Sequence, residues 1–81
     1  MISAIVLVNC RFPFEARIVD ELDKLSVVKH VYRTSGIYDL IVKVSADTGN
    51  GLRRTVCADI GTIHNINSTV TRVIAYPTLG T

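Results

Sequence analysis

The sequence predicts an α+β fold with one four-stranded antiparallel sheet and two helices packed on one face of that sheet. Four short segments rich in β-forming residues alternate with two stretches in which apolar residues have helical spacing. The second helical stripe repeats the first at an offset of 38 residues (52 − 14 and 63 − 25). We therefore interpret the chain as two copies of one β-α-β unit, in a single domain spanning residues 1–81.

The first unit begins with ISAIVLVN, at residues 2–9, which is apolar on both alternating faces, as a buried strand would be. The period then becomes helical, and Pro13 suits the first turn of the helix. The apolar stripe of this helix consists of Phe14, Ile18, Leu22 and Leu25. VVKHVYRT, at residues 27–34, predicts the second strand.

The second unit is expected to follow a short hairpin. SG is interpreted as a two-residue turn that leads into the third strand, YDLIVKVSA, at residues 38–46. DTGN then supplies cap and turn residues for the second helix. The apolar stripe of that helix consists of Leu52, Val56, Ile60 and Ile63. INSTVTRVIAY, at residues 66–76, predicts the last strand, which Pro77 ends.

The order of elements determines the topology. Strands one and three each precede a right-handed crossover, so we expect them side by side at the centre of a ferredoxin-like βαββαβ sandwich. Both faces of these strands are apolar, with Ile5, Leu7 and Ile41 opposite in direction to their neighbours. The helices cover only one face. We therefore expect a dimer formed by stacking two bare sheet faces, and further assembly to a tetramer or octamer.

Composition narrows the class of protein. A chain with 48% hydrophobic and 20% charged residues is apolar for its size, which favours self-association. A net charge of +2 is too small to predict sequence-specific DNA binding. No apolar run reaches membrane-span length, and the N-terminus lacks the features of a signal peptide, so we expect a cytoplasmic protein. Cys10 and Cys57 lie among apolar residues and are expected to be buried, reduced thiols.

No pattern in the sequence predicts an enzyme. His30 and His64 are isolated, so they are interpreted as surface or interface residues. The acidic residues Asp20, Glu21 and Asp23 fall on the outer face of the first helix and are interpreted as a solvated surface. The sequence contains no CxxC metal motif and no glycine-rich phosphate loop, and no cofactor is expected.

Two short patterns in this element order resemble a known family. GIYD, at residues 36–39, has the form G-x-Y-D before an apolar strand, and Thr69 and Thr71 form a downstream T-x-T pair. From Ala4 to Tyr76 the chain resembles the effector-binding domain of the Lrp/AsnC family of feast/famine transcription regulators, also called the RAM domain. It differs from full-length regulators in having no room for a helix-turn-helix domain before strand one, and so resembles the stand-alone RAM proteins of prokaryotes, especially archaea. DTGNGLRRT also differs, with glycines where the family has acidic residues and helix formers.

The resemblance implies a site for a small effector, usually an amino acid, between dimers of a ring-like assembly. Gly36 would let the ligand approach the backbone, and Asp39 would accept hydrogen bonds from an α-ammonium group. Tyr38, Thr69 and Thr71 would complete the contacts. Each residue has a structural alternative. Gly36 could serve only the turn, Tyr38 could pack at an interface, the threonines could be ordinary β-formers, and Asp39 could bind neighbouring backbone amides.

Three functions remain open at this point. The first is an oligomeric amino-acid sensor, acting alone or by assembling with full-length Lrp/AsnC regulators that carry the DNA-reading domain. The second is a purely structural assembly module that binds no ligand. The third is an ACT-like regulatory subunit of a metabolic enzyme, which shares the same element order.

Overall fold

The computed structural model describes residues 2–74 and contains the predicted order of elements. The elements are β1 (Ile2–Cys10), α1 (Glu15–Asp23), β2 (Val28–Arg33), β3 (Leu40–Ala46), α2 (Gly49–Thr55), a π-helical turn (Val56–Ile60) and β4 (Ile66–Val73). The strands form one antiparallel sheet in the order β2-β3-β1-β4, which confirms the predicted ferredoxin-like fold and the central position of β1 and β3. Ala75, Tyr76 and Pro77, in or after the predicted last strand, lie outside the described residues.

The core lies between the sheet and the two helices. Alternate residues of the central strands supply its floor, because β1 and β3 pair with their apolar side chains on the same side. These side chains are fully buried: Ala4, Val6 and Val8 from β1, and Leu40, Val42 and Val44 from β3. The predicted helical stripes cover them with Ile18, Leu22, Leu52, Val56 and Ile60. Phe14, Leu25 and Ile63 are half-buried at the margin of this core.

The helices begin differently from one another. Helix α1 starts at Glu15, with Phe14 as its N-cap residue and no capping side chain, so Pro13 lies just before the helix and not in its first turn. Helix α2 starts after Thr48, whose hydroxyl accepts a hydrogen bond from the Gly51 amide at 3.0 Å. The DTGN segment therefore forms a capped helix start. No helix in the part of the chain from residue 2 to 74 is long and apolar enough to cross a membrane.

The hairpin between β2 and β3 differs from the prediction. Strand β2 ends at Arg33 and strand β3 begins at Leu40, so the connection has six residues, Thr34–Asp39, where a two-residue SG turn was expected. Its ends are joined by a hydrogen bond from the Thr34 amide to the Asp39 carbonyl oxygen, at 2.9 Å. Tyr38 and Asp39 consequently belong to the loop and not to the strand. The loop projects from one end of the sheet, beside the end of β1.

The second face of the sheet is not covered by any element of residues 2–74; we call it the open face. Its central row pairs Tyr32 with Ile41, Ile41 with Leu7, and Leu7 with Val70. The adjacent row pairs His30 with Lys43, Lys43 with Ile5, and Ile5 with Arg72. Both Ile5 and Ile41 point outward, as the alternation of the strands requires.

Candidate functional site

The Thr34–Asp39 loop is organised by the side chain of Thr34. The Thr34 hydroxyl accepts a hydrogen bond from the Gly36 amide and donates one to the Tyr38 carbonyl oxygen, both at 2.9 Å. A hydroxyl that bonds the backbone two residues ahead replaces a turn made by the backbone alone. Sequence reasoning missed Thr34. A threonine directly before Ser-Gly was nevertheless a usable signal for this kind of turn.

Asp39 fastens the loop to the end of strand β1. Its amide donates to the Val8 carbonyl oxygen at 2.9 Å, and its carboxylate Oδ2 accepts from the Cys10 amide at 2.8 Å. The β1–β4 pairing is irregular between Asn9 and Cys10, so β1 ends where Asp39 binds it. Asp39 therefore makes two successive hydrogen bonds to β1, one with its backbone amide and one with its side chain, as two residues of a paired strand would.

This arrangement accounts for an acidic residue directly before the first residue of a buried strand. A charged acceptor makes a stronger hydrogen bond to a backbone amide than a neutral one does. The half-buried Asp39 carboxylate uses Oδ2 in this bond, and within residues 2–74 the structure shows no hydrogen-bond partner for Oδ1. The carboxylate is thus held in one orientation with an acceptor atom still available.

The carboxylate also acts on the neighbouring thiol. Partial burial of Cys10, with the negative charges of Asp39 and Glu15 nearby, raises the pKa of the thiol to about 11. Cys10 is therefore a protonated and weakly nucleophilic thiol at neutral pH. Both cysteines are free, but Cys10 is only half-buried and Cys57 is exposed, so the prediction of two buried thiols was wrong for Cys57 and was met only in part by Cys10. Cys57 follows the buried Val56 by one position, and a helical step of one residue turns it outward.

Gly36 lies at the exposed tip of the loop, in a position where the fold tolerates a side chain. A Cβ built on Gly36 would lie 3.5 Å from the Thr34 hydroxyl oxygen, an ordinary contact distance, and the backbone is not in the left-handed region. The turn itself therefore does not require glycine. Next to it, Ile37 is 89% exposed, and this apolar residue was not singled out from the sequence.

Thr69 and Thr71 lie on strand β4, separated from the loop by β1. They pair with Val8 and Val6, so both threonines share the helix-covered side of the sheet, as their spacing predicts. Thr69 is half-buried and Thr71 is exposed. Strand β4 begins at Ile66, so both threonines lie within the strand.

Val8 is the link between the two parts of the candidate site. Its backbone accepts from the Asp39 amide on one side and pairs with Thr69 on the other. Two strand spacings, roughly 10 Å, therefore separate the backbones of Asp39 and Thr69. The structure brings Gly36, Tyr38 and Asp39 into one loop, with Tyr38 half-buried. It does not bring the threonines within hydrogen-bond distance of that loop.

The isolated histidines lie elsewhere. His30 is exposed on the open face, and its ring centroid is 5.9 Å from that of Tyr32. His64 lies in the segment before β4 and lines a shallow groove of about 420 Å³ together with Arg17, Glu21 and Asp59. This groove lies over the helices and contains none of the predicted ligand residues.

Comparison with known proteins identifies relatives among solved structures. No family model and no curated protein matches the chain. The crystal structure of FFRP-DM1 is 31% identical and superposes with a TM-score of 0.88 over 91% of this chain and 99% of that chain. A hypothetical protein from Pyrococcus horikoshii, PHS023, is 30% identical, with a TM-score of 0.88 over 95% of this chain and 93% of that one.

Longer regulators share the fold at lower identity. Escherichia coli AsnC is 22% identical, with a TM-score of 0.87, and this chain spans about half of its length, 52%. A transcriptional regulator from Neisseria meningitidis, solved in complex with L-Met, is 16% identical, with a TM-score of 0.82 over 93% of this chain and 50% of that chain. The sequence resemblance and the likeness to FFRP-DM1 and PHS023 agree. The chain belongs to the Lrp/AsnC family, in which it corresponds to the effector-binding (RAM) domain.

Proposed function

We propose that the chain is a small-molecule sensing and oligomerisation domain that binds an amino acid and modulates transcription through partner proteins. In this proposal the Asp39 carboxylate accepts hydrogen bonds from the α-ammonium group of the effector. Gly36 allows the ligand to approach the loop backbone, and Tyr38 packs beside it. The hydroxyls of Thr69 and Thr71 contribute polar contacts from a neighbouring position in the assembly.

The observation that carries the proposal is the state of the Asp39 carboxylate. One oxygen is fixed by the Cys10 amide at 2.8 Å, which limits the rotation of the side chain. An acceptor that is already oriented loses little conformational entropy when a ligand binds. Gly36 adds support, since the fold gives no reason of its own for a glycine there. The N. meningitidis regulator solved with L-Met shows that a protein with this fold binds an amino acid.

Assembly is the second part of the proposal. The open face exposes apolar side chains of β1, β2 and β3, including Tyr32 at 53% exposure, and stacking two such faces would bury them. A second apolar surface lies at the loop end of the sheet, where Phe12 and Ile37 are 90% and 89% exposed. Contacts through the open face would form the dimer. Contacts through the surface with Phe12 and Ile37 would join dimers into a tetramer or octamer and place the loop of one dimer against another.

The ligand proposal is tested first by a thermal-shift screen against the proteinogenic amino acids. A ligand at a hundred times its dissociation constant stabilises the folded protein by about 2.7 kcal/mol, which such a screen detects. Calorimetry on the best ligand then compares the parent chain with Asp39→Asn. We expect a roughly ten- to hundredfold loss of affinity, because one charge-assisted hydrogen bond is weakened. Thr71→Val should cost about 1 kcal/mol of binding free energy, the contribution of one neutral hydrogen bond.

Matched variants separate a specific loss from a general one. Asp20→Asn removes an exposed carboxylate on the outer face of α1 and should leave the affinity unchanged. Gly36→Ala should weaken binding while the protein keeps its stability, since the added methyl group fits the turn. If no amino acid shifts the melting temperature of the assembled protein, the sensing proposal is wrong.

A purely structural assembly module is the second candidate function. The Asp39 to Cys10 hydrogen bond favours it, because fastening the loop to β1 is a sufficient structural reason for the acid. In this case Asp39→Asn and the parent would bind every tested ligand equally weakly, while light scattering would still show an oligomer.

A role in transcription would require a partner that reads DNA. The chain carries a net charge of +2, so we expect only weak binding to duplex DNA, without sequence preference. Titration of labelled duplexes at physiological salt tests this expectation. Nanomolar, sequence-selective binding by the chain alone would contradict it.

A further inference from the structure

The charges of this molecule are divided between its two layers. None of the seven carboxylates lies in a strand: five are on α1 and the π-helical turn, and Asp39 and Asp47 flank the two ends of β3. The strands contain only basic charged residues. A face formed by these strands therefore has no acidic side chain of its own strands to neutralise it.

Two of these basic residues lie on the open face. Lys43 on β3 and Arg72 on β4 both pair with Ile5, one on each side, so their backbones are two strand spacings apart, roughly 10 Å. Both side chains are exposed, and no salt bridge to either is present within residues 2–74. His30 continues the same row beside Lys43.

The other basic strand residues have local partners. Arg33, on the helix-covered side, lies 3.7 Å from the Glu15 carboxylate. The Lys29 ammonium donates to the Ser26 carbonyl oxygen at 3.2 Å. The Asp39 carboxylate, in the loop at the end of the sheet, accepts from the Cys10 amide and forms no salt bridge with Lys43 or Arg72 within residues 2–74. Among the described residues, Lys43 and Arg72 thus have no ionic partner, and they lie directly beside an apolar surface that is expected to become an interface.

We propose that Lys43 and Arg72 select the partner of the open face: a sheet that carries carboxylates opposite them is preferred over a second copy of this chain. The inference rests on the proposed assembly through this face. Two identical open faces bring four cations and no strand carboxylate into one interface, where lowered exposure to water strengthens their repulsion. A partner sheet with the same apolar row and two acidic residues would convert that repulsion into attraction. The self-assembled dimer then forms through the apolar row in spite of the basic row.

A charge-reversed copy of the chain is the probe for this selectivity. Lys43→Glu/Arg72→Glu supplies the proposed acidic partner while it keeps the apolar row, and both substitutions are at exposed positions. Isotope-labelled parent and unlabelled variant are mixed, and native mass spectrometry measures the two homodimers and the heterodimer. At low ionic strength we expect the heterodimer to exceed its statistical share by about tenfold in the equilibrium constant. The excess should decline toward the statistical share at high salt, since screening shortens the range of the charges.

A neutral variant controls for the substitutions themselves. Lys43→Gln/Arg72→Gln removes the repulsion without adding attraction, so its own dimer should be tighter than that of the parent at low salt. It should show a smaller preference for the parent than the Glu variant does. A statistical mixture of dimers at low salt would overturn the selectivity and leave the assembly through this face standing. Monomers of every variant at all salt concentrations would overturn both.

Discussion

Strand β1 presents apolar residues to both faces of the sheet, but the environments of the two faces differ. On β1, Val6 and Val8 are fully buried beneath the helices, whereas the intervening Leu7 is only half-buried on the open face. On β3, Val42 is fully buried and its neighbour Lys43 is exposed. The apolar residues of β1 thus indicate that both faces favour burial, but they do not indicate what covers each face. The helices cover one face, and no element of residues 2–74 covers the other.

The largest effect is expected from a charge on the covered face. Val42→Lys would place an ammonium group in the core without a partner, at a cost of at least several kcal/mol, and the domain should not fold. Lys43→Val, at the next position, should fold and associate more strongly, because it removes a charge from the open face. Circular dichroism and light scattering measure both outcomes. A folded Val42→Lys protein would show that the side assignment is wrong.

A charge on the open face should separate assembly from folding. Ile41→Lys and Ile5→Lys each add an exposed cation to the apolar surface, so we expect a folded protein that no longer dimerises. Sedimentation at micromolar concentration measures the loss of the dimer, and the thermal transition reports folding. A parent chain that sediments as a monomer of 8.9 kDa would remove the basis of this prediction.

A smaller effect is expected at the end of the sheet, where Asp39 is hydrogen-bonded to the last residues of β1. Asp39→Ala should lower the free energy of unfolding by about 1–3 kcal/mol, since the half-buried Cys10 amide loses its acceptor. Asp39→Asn keeps an acceptor oxygen and should cost less. Urea unfolding of the two variants gives the difference. Equal losses of unfolding free energy in the two variants would mean that the charge of Asp39, and not its acceptor oxygen, stabilises this contact with β1.

The mildest change concerns the reactivity of Cys10. Partial burial is the main cause that raises the pKa of this thiol to about 11, and the Asp39 charge adds to it, so Asp39→Asn should lower the pKa. The thiolate fraction between about pH 8 and 10 should rise, and alkylation should become faster. The measurement is made in a Cys57→Ser background, which leaves one thiol. Glu15→Gln should act in the same direction with a smaller effect, because its contribution to the shift is smaller.

The elements of the fold could be predicted from the sequence because their spacing is set by burial. Leu22, Ile60 and their stripe partners repeat at steps of three and four, and each repeat corresponds to a helix face in contact with the sheet. The limits of β3 could not be predicted in this way. Tyr38 and Asp39 precede an apolar run and resemble its first residues. The Asp39 side chain replaces a backbone group in the ladder, so the pairing continues beyond the strand.

The candidate site was predicted less completely than the fold. Gly36, Tyr38 and Asp39 of GIYD lie together in the Thr34–Asp39 loop, but the Thr34 hydroxyl that shapes this loop gives no periodic signal in the sequence. Thr69 and Thr71 share a face, as their spacing requires, yet β1 separates them from the loop. Residues from different strands become neighbours only through the sheet order and through contacts between subunits. A single sequence indicates the sheet order indirectly, and it hardly indicates the contacts between subunits at all.

The pairing of β1 with β4 has a consequence for the connectivity of the chain. Ala4 pairs with Val73, and the Ile74 amide donates to the Ser3 carbonyl oxygen at 2.9 Å, so the two ends of the described chain leave the sheet at one corner. A short linker could join them, and new termini could be opened at the exposed Ser35 or Gly36. Such a circular permutant would keep every strand and core residue of residues 2–74 while it cuts the loop proposed to bind the effector. The permutant would keep the fold and lose the proposed effector site.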